Sequence, residues 1–193
     1  MSPPPPADPL LDPELEKRWW TEVTRGAALD PGTWLLCGRR LNRSAELVWS
    51  RFEAGSGAKF QDDWGDLPAA LMLAGFALEN LAKGLVIRKE PQRVRAEYLA
   101  RWTSGSGHEL RELLAKADVT LEPAEVLVVR RLEMFAQWAG RYPVPRQFAD
   151  NAPIDSLGHR PPEISDDKRA AEWDVYRALY ARTDALLSGP IST

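Results

Sequence analysis

The chain has 193 residues and a formal net charge of -3, from 25 Lys and Arg against 28 Asp and Glu. This length suits a single domain with one sizeable core, and the near-neutral charge argues against nucleic-acid binding through a large basic excess, although a local basic patch remains open. Cys37 is the single cysteine and has no partner for an internal disulfide. No apolar run approaches the ~20 residues of a membrane span. The sequence therefore predicts a soluble, cytoplasmic protein without a membrane partner.

The sixteen prolines mark where segments begin and end. Residues 1–10 are dominated by proline and predict a disordered tail, which leaves residues 11–190 as a single domain. An acid followed by proline is a typical helix start, since proline loses nothing in the first turn. This pattern predicts one helix over 13–26 and a second over 31–55.

The next segment, 53–65, is rich in Gly and Asp and predicts a loop. The helix that follows, from Asp66 to about Arg88, is the most apolar of the chain. Its apolar seam and the residues that widen it are Leu71, Ala74, Leu78, Leu81, Leu85, Met72, Phe76 and Ala82. A helix that is apolar on most sides belongs in the middle of a bundle.

The remaining chain predicts four further helices and one long connection. A short helix covers 92–102, the next opens at His108, a third runs over 123–140, and the last runs over 165–190. The proline-rich segment 141–164 has no regular period, which predicts a functional loop or a segment packed over the bundle. No strand-like alternation of useful length occurs, so the predicted fold is all-α.

Three local patterns follow one another along these helices: AGFALENLAKGL at 74–85, GHELRELL at 107–114 and WAGRYP at 138–143. They resemble a "G-x-A-hydrophobic-E-x-x-x-K" central helix, a "G-H-D-L-x-x-L-L" helix start and a "W-x-G-R-Y-P" helix end. All three features are found in the HEPN superfamily of prokaryotic helical-bundle domains. The resemblance extends over about residues 30–187.

Membership of this superfamily would imply a bundle of four or more helices, frequent homodimerisation and a cytoplasmic setting. Many members resemble metal-independent endoribonucleases of toxin–antitoxin, CRISPR and phage-defence systems, with an Arg followed four to six residues later by His at a dimer cleft. Others lack this signature and act as small-ligand, nucleotidyltransferase-partner or scaffold domains. The implied partners are a second copy of the chain, an antitoxin or nucleotidyltransferase-like protein, and RNA or a nucleotide.

Arg101 and His108 are separated by six residues and formally fit the ribonuclease signature. The residues between them are Trp-Thr-Ser-Gly-Ser-Gly, a flexible break, whereas ribonuclease members carry the pair at the start of a later helix. His108 therefore has two interpretations. It is either a helix-start residue with local hydrogen bonds or a group that transfers protons to or from RNA.

Glu79 and Lys83 are four residues apart on the most apolar helix and therefore lie on one face. One interpretation is an ion pair at the edge of the bundle. The other is a polar cleft in which they meet His108 and Arg141 and hold an anionic or nucleotide-like ligand, with Tyr142 stacking or packing beside it. An Arg guanidinium suits phosphate.

Six of the eight tryptophans fall into two groups. One group lies on apolar helix faces and is interpreted as core or dimer-interface anchors: Trp34, Trp138 and Trp173. The other is interpreted as an exposed aromatic patch that favours a protein partner: Trp19, Trp20 and Trp64.

The prediction from these observations is a ligand- or partner-binding component of a defence or toxin–antitoxin type system. Two alternatives remain: a metal-independent endoribonuclease using Arg101 and His108, and an interaction scaffold using the Trp-rich helices. Whether the protein is an enzyme is left open. Two isolated His and one Cys do not make a typical zinc site, and no metal or other cofactor is predicted.

Overall fold

The computed structural model describes residues 13–55, 66–92, 108–139 and 166–190. These ranges are 90% helical and contain no strand, which confirms the predicted all-α fold. Three predicted segments lie outside the described residues, wholly or in their larger part. They are the tail at 1–10, the short helix at 92–102 and the connection at 141–164.

The described residues form six helices: α1 (Pro13–Leu29), α2 (Pro31–Gly55), α3 (Asp66–Lys89), α4 (Leu110–Lys116), α5 (Pro123–Met134, continued by a π-helical turn over Phe135–Ala139) and α6 (Asp166–Ser188). The predicted starts of α1, α2, α3 and α5 agree with the structure. Helix α1 runs past Gly26 to Leu29, and α4 begins two residues after His108. A single helix-interior glycine costs only about 1 kcal/mol, which helical neighbours can outweigh.

Helix α3 is the centre of the bundle and packs against α2, α4, α5 and α6. Fourteen of its 24 residues are buried. Glycines bring the neighbouring helices close to its backbone. A Cβ on Gly75 would lie 2.9 Å from the carbonyl oxygen of Leu132, and one on Gly84 would lie 2.7 Å from Leu187 Cδ2. The structure therefore confirms the prediction that this helix lies in the middle of the bundle.

Helix α3 is also the one described helix that is long and apolar enough to cross a membrane, with a mean hydropathy of 1.5. Inside the fold, 78% of that apolar stretch is buried. The core helix of a soluble protein passes the same test of length and composition, so the burial is compatible with a soluble protein.

Aromatic residues join α2 to α6. The rings of Trp49 and Trp173 stack with their centroids 4.3 Å apart and their planes within 3°, and Tyr176 lies beside Trp173 at 4.8 Å. Trp173 is only 2% exposed, so of its two predicted roles the structure gives it the one in the core. Trp34 is half-buried, and the side chain of Trp138 lies outside the described part of the chain.

Helix α1 contacts α2 near the joint between the two helices and carries an exposed apolar stripe. Leu15, Trp19 and Val23, at intervals of four residues, are 53%, 57% and 43% exposed. Trp19 is thus exposed as predicted, while the side chains of Trp20 and Trp64 lie outside what the structure describes.

Candidate functional site

The carboxylate of Glu79 on α3 contacts two other ionisable side chains. Lys83 Nζ lies 2.6 Å from Glu79 Oε1, and His108 Nδ1 lies 2.8 Å from Glu79 Oε2. Helical geometry aligns the first two, because residues four apart share a face. The third arrives from the segment just before α4, which packs against α3. The structure therefore brings together Glu79, Lys83 and His108, three of the four side chains of the predicted polar cleft.

The three side chains differ in how much solvent they see. The side chain of Glu79 is 6% exposed, that of Lys83 is 11% exposed and that of His108 is 29% exposed. A buried carboxylate is costly unless its oxygens accept hydrogen bonds, and here each oxygen has a donor. Lys83 also lies 5.7 Å from the ring centroid of Trp34, a cation–π contact. The pair is inside the bundle rather than at its edge.

The contact with Glu79 fixes the orientation of the His108 ring. Because Glu79 is ion-paired with Lys83, its carboxylate accepts hydrogen bonds only, and Nδ1 of the imidazole must be the donor. In a neutral imidazole Nε2 is then a hydrogen-bond acceptor. The ring of Phe76 stands 6.0 Å from that of His108 and limits its tilt from one side. The arrangement is that of an imidazole whose ring is oriented by its contacts with Glu79 and Phe76.

His108 does stand just before a helix, but the predicted local hydrogen bond of its ring is wrong, because the ring contacts Glu79. The carboxylate that holds the ring is 29 residues away in sequence and lies on another helix. Local chemistry does not account for this contact, which depends on how α4 packs on α3.

The other predicted site residues are Arg101, Arg141 and Tyr142. All three lie outside the described residues, so the catalytic pairing of Arg101 with His108 and the contact of Arg141 with the cluster stay predictions.

Sequence reasoning missed an acidic residue near the start of α4. The carboxylate of Glu133, on α5, accepts a hydrogen bond of 3.2 Å from the backbone N–H of Arg111. Burial raises the pKa of Glu133, and the backbone N–H groups of Arg111 and Leu110 oppose that rise. The carboxylate therefore satisfies donors that the first turn of a helix leaves unpaired. No pattern in the sequence marks this residue, because its role depends on the packing of α4 on α5.

Within the part of the chain that the structure describes, no group of three or more His, Cys, Asp or Glu side chains is placed to hold a metal ion.

Comparison with known proteins adds no relative: the chain matches no model of a protein family, no curated protein and no solved structure. The resemblance to the HEPN superfamily therefore rests on the three sequence patterns.

Proposed function

We propose that this chain is a HEPN-like domain protein that binds an anionic, nucleotide-like ligand through His108, as a component of a defence or toxin–antitoxin type system in the cytoplasm. The observation that carries the proposal is the buried carboxylate of Glu79, held between Lys83 and His108.

The argument starts from what a helical bundle needs. An apolar pair at the positions of Glu79 and Lys83 would stabilise the core as well as the ion pair does, since buried ion pairs give little net stability. The pair therefore supports a role beyond packing, and its visible effect is to hold the imidazole of His108. With Glu79 and Lys83 neutralising each other, protonation of His108 adds one positive charge to the cluster. That charge would attract a phosphate or carboxylate.

The proposal assigns different roles to the three side chains according to how exposed each one is. His108 is the best exposed of the three side chains and is the proposed ligand contact, while Glu79 and Lys83 position it. In this proposal Arg141 supplies a guanidinium for a phosphate group and Tyr142 supplies a ring beside the base, as the sequence patterns predict.

The test uses the fact that the chain has only two histidines, His108 and His159. The imidazole proton signals are followed by NMR during a titration with AMP, and His159→Asn assigns the two signals. We expect a saturable shift of the His108 signal, and an affinity at least about tenfold weaker in His108→Asn, as for loss of one charge-assisted hydrogen bond.

His159→Asn is the matched control and should bind AMP as the unmodified chain does. Equal affinity in His108→Asn, or a shift confined to the His159 signal, would contradict the proposed site.

One specific observation favours a second candidate, the metal-independent endoribonuclease. Because Glu79 holds Nδ1 of His108, Nε2 is the nitrogen that remains for proton transfer. In RNA cleavage His108 would take the proton of a ribose 2′-hydroxyl, whose oxygen then attacks the neighbouring phosphorus. The bond between phosphorus and the 5′-oxygen breaks and leaves a 2′,3′-cyclic phosphate. The leaving 5′-oxygen takes up the proton that His108 accepted, directly or through water, and Arg101 would stabilise the charge on the phosphate.

This candidate is tested by expressing the chain in bacteria and by incubating it with RNA in the presence of a metal chelator. Growth arrest and RNA cleavage by the unmodified chain and by His159→Ala, but not by His108→Ala, would place the ribonuclease first. Cleavage that survives His108→Ala would exclude this mechanism.

The proposed protein partners are a second copy of the chain and an antitoxin or nucleotidyltransferase-like protein. The exposed apolar stripe of α1 supports a protein contact there, because apolar patches that a monomer leaves exposed often mark the surface that binds another protein.

A further inference from the structure

Helix α1 is covered by little of its own chain. Its described side chains from Leu15 to Gly26 are exposed, and the first buried residue is Ala28, next to the joint with α2. A helix that no other element covers is only marginally stable in water, even at a length of about 15 residues. The exposed part of α1 is therefore suited to a surface that a partner covers.

The apolar stripe of α1 is symmetric about its middle residue. Leu15 and Val23 each lie four residues from Trp19, so the three share one face of the helix. When two such helices pair in antiparallel orientation about Trp19, Leu15 of one copy faces Val23 of the other, and Trp19 faces Trp19. A stripe of this form is its own complement, as an interface with two-fold symmetry requires.

The charges beside the stripe are complementary in the same arrangement. Arg18 and Glu22 follow Leu15 at intervals of three and seven residues, so they lie along one edge of the stripe, and both are exposed. In the antiparallel pair, Glu22 of one copy and Arg18 of the other are about 3 Å apart along the helix axis. The two-fold axis repeats this ion pair. Such pairs add little affinity, but like charges at these positions would oppose the contact.

We propose that two copies of this protein associate through antiparallel α1 helices centred on Trp19. The inference rests on the second copy proposed as a partner and names how it binds, and it does not depend on the ligand proposed for His108. Helix α1 precedes the region of HEPN resemblance, which therefore does not imply this contact.

The size of the contact sets its strength. Each helix is about 25 Å long and about 10 Å wide, so the pair covers less than the roughly 800 Å² per partner of a standard interface. We therefore expect a dimer in reversible equilibrium with the monomer at concentrations of about 1–100 μM.

Cysteine cross-linking tests the orientation. Cys37 is first replaced by Ser, so that each variant carries one thiol, and Leu15→Cys and Val23→Cys are oxidised separately and as a mixture. We expect at least about fivefold more disulfide-linked dimer in the mixture, because residue 15 faces residue 23, whereas identical residues lie about 12 Å apart along the axis, beyond the reach of a disulfide. Leu47→Cys, exposed on α2, measures random collisions.

Sedimentation of charge variants tests the ion pairs. Arg18→Glu and Glu22→Arg each place like charges opposite one another in a homodimer, and we expect about tenfold weaker self-association for each. A one-to-one mixture of the two variants restores opposite charges between the chains and should associate as tightly as the unmodified chain. The charges within each helix are unchanged by mixing, so this recovery would report a contact between chains.

Linked dimers that form equally well from each cysteine variant alone, or only as often as in Leu47→Cys, would overturn the antiparallel pair. Charge variants that associate no better as a mixture than alone would overturn it as well. A dimer that persists unchanged in both charge variants would remove α1 while leaving the proposed homodimer in place. A chain that stays monomeric up to about 100 μM would overturn both. AMP binding to Arg18→Glu should be unchanged, which separates this surface from the proposed ligand site.

Discussion

Helices α1 and α3 depart from the ordinary amphipathic pattern in opposite directions. Helix α3 is apolar on most sides and yet buries Glu79 and Lys83, while α1 is mostly polar and yet exposes Leu15 and Val23. In α3 other helices cover nearly every face, so a charge can persist there only with partners inside the protein. Helix α1 meets α2 near the joint between them, and its described side chains from Leu15 to Gly26 are exposed, so its apolar residues stay in solvent.

The difference shows that composition alone does not identify the residues that carry function. A residue is informative when it contradicts the surroundings of its own helix, since natural sequences break local rules chiefly at functional sites. By this criterion the charges of α3 support the proposed ligand site at His108, and the exposed apolar residues of α1 support the proposed protein contact.

The largest expected effect concerns the buried charges of α3. Glu79→Leu should lower the free energy of unfolding by about 3–5 kcal/mol, because it leaves the ammonium group of Lys83 buried without its carboxylate. Urea unfolding measures the change. The double variant Glu79→Leu/Lys83→Leu should recover most of the loss, since a packed apolar pair replaces the ion pair. A loss below about 1 kcal/mol in the single variant would contradict the burial of this pair.

The second prediction compares a glycine of each helix. In Gly75→Ala the new Cβ meets the Leu132 carbonyl oxygen at 2.9 Å and Ala136 Cβ at 3.2 Å, and a backbone atom cannot rotate away. We expect a net destabilisation of about 1–3 kcal/mol. Gly26→Ala has open space around the new Cβ and should stabilise the protein by about 1 kcal/mol through helix propensity. Thermal unfolding measures both variants, and a shift of the same sign in the two would contradict the packing difference between the helices.

The third prediction concerns the joint between α1 and α2, where Asp30 caps α2. Its side chain accepts hydrogen bonds from the hydroxyl of Thr33 and from the backbone N–H groups of Gly32 and Thr33, and these bonds lower its pKa from the ordinary 3.8. Asp30→Ala should therefore cost about 1 kcal/mol at neutral pH.

The pH dependence of this cap has a definite sign. A carboxylate whose pKa is lower in the folded protein stabilises the fold above its unfolded value of 3.8 and loses that effect as the pH falls through the lower folded value. The difference in unfolding free energy between the unmodified chain and Asp30→Ala should shrink as the pH is lowered from 7 to below 3.8. A difference that grows in acid would be inconsistent with the cap.

The smallest effect on stability is expected for the exposed stripe of α1. Leu15→Ser/Val23→Ser should change the free energy of unfolding by no more than about 0.5 kcal/mol per site, because both side chains already meet solvent. Val129→Ser, at a fully buried position, is the contrasting control and should cost several times more. If α1 contacts a second copy, sedimentation should show weaker self-association in the double variant. Unchanged self-association would remove α1 as the dimer surface.

Local chemistry was enough to predict where four helices begin. The proline after an acid at 13 and 31, the acid at 66 and the proline at 123 each act within one helical turn, so their effect is readable without knowing the fold. The lack of a strand period predicted the all-α class for the same reason.

The site was only partly predictable. The i, i+4 spacing placed Glu79 beside Lys83, and the hypothesis of a polar cleft added His108, which the structure also places there. The pairing of Trp49 with Trp173 and the contact of Glu133 with Arg111 join separate helices, and no local pattern encodes which helices meet.

The core formed by α2 and α6 has a consequence for synthesis of the chain. Trp173 donates to Glu46, 127 residues earlier, and stacks on Trp49. As translation proceeds from the N-terminus, Trp49 is made long before its partner helix leaves the ribosome. The face of Trp49 that Trp173 covers therefore stays exposed in the nascent chain until α6 is made. A ribosome stalled before Asp166 should therefore display a nascent chain with exposed apolar surface, to which chaperones bind.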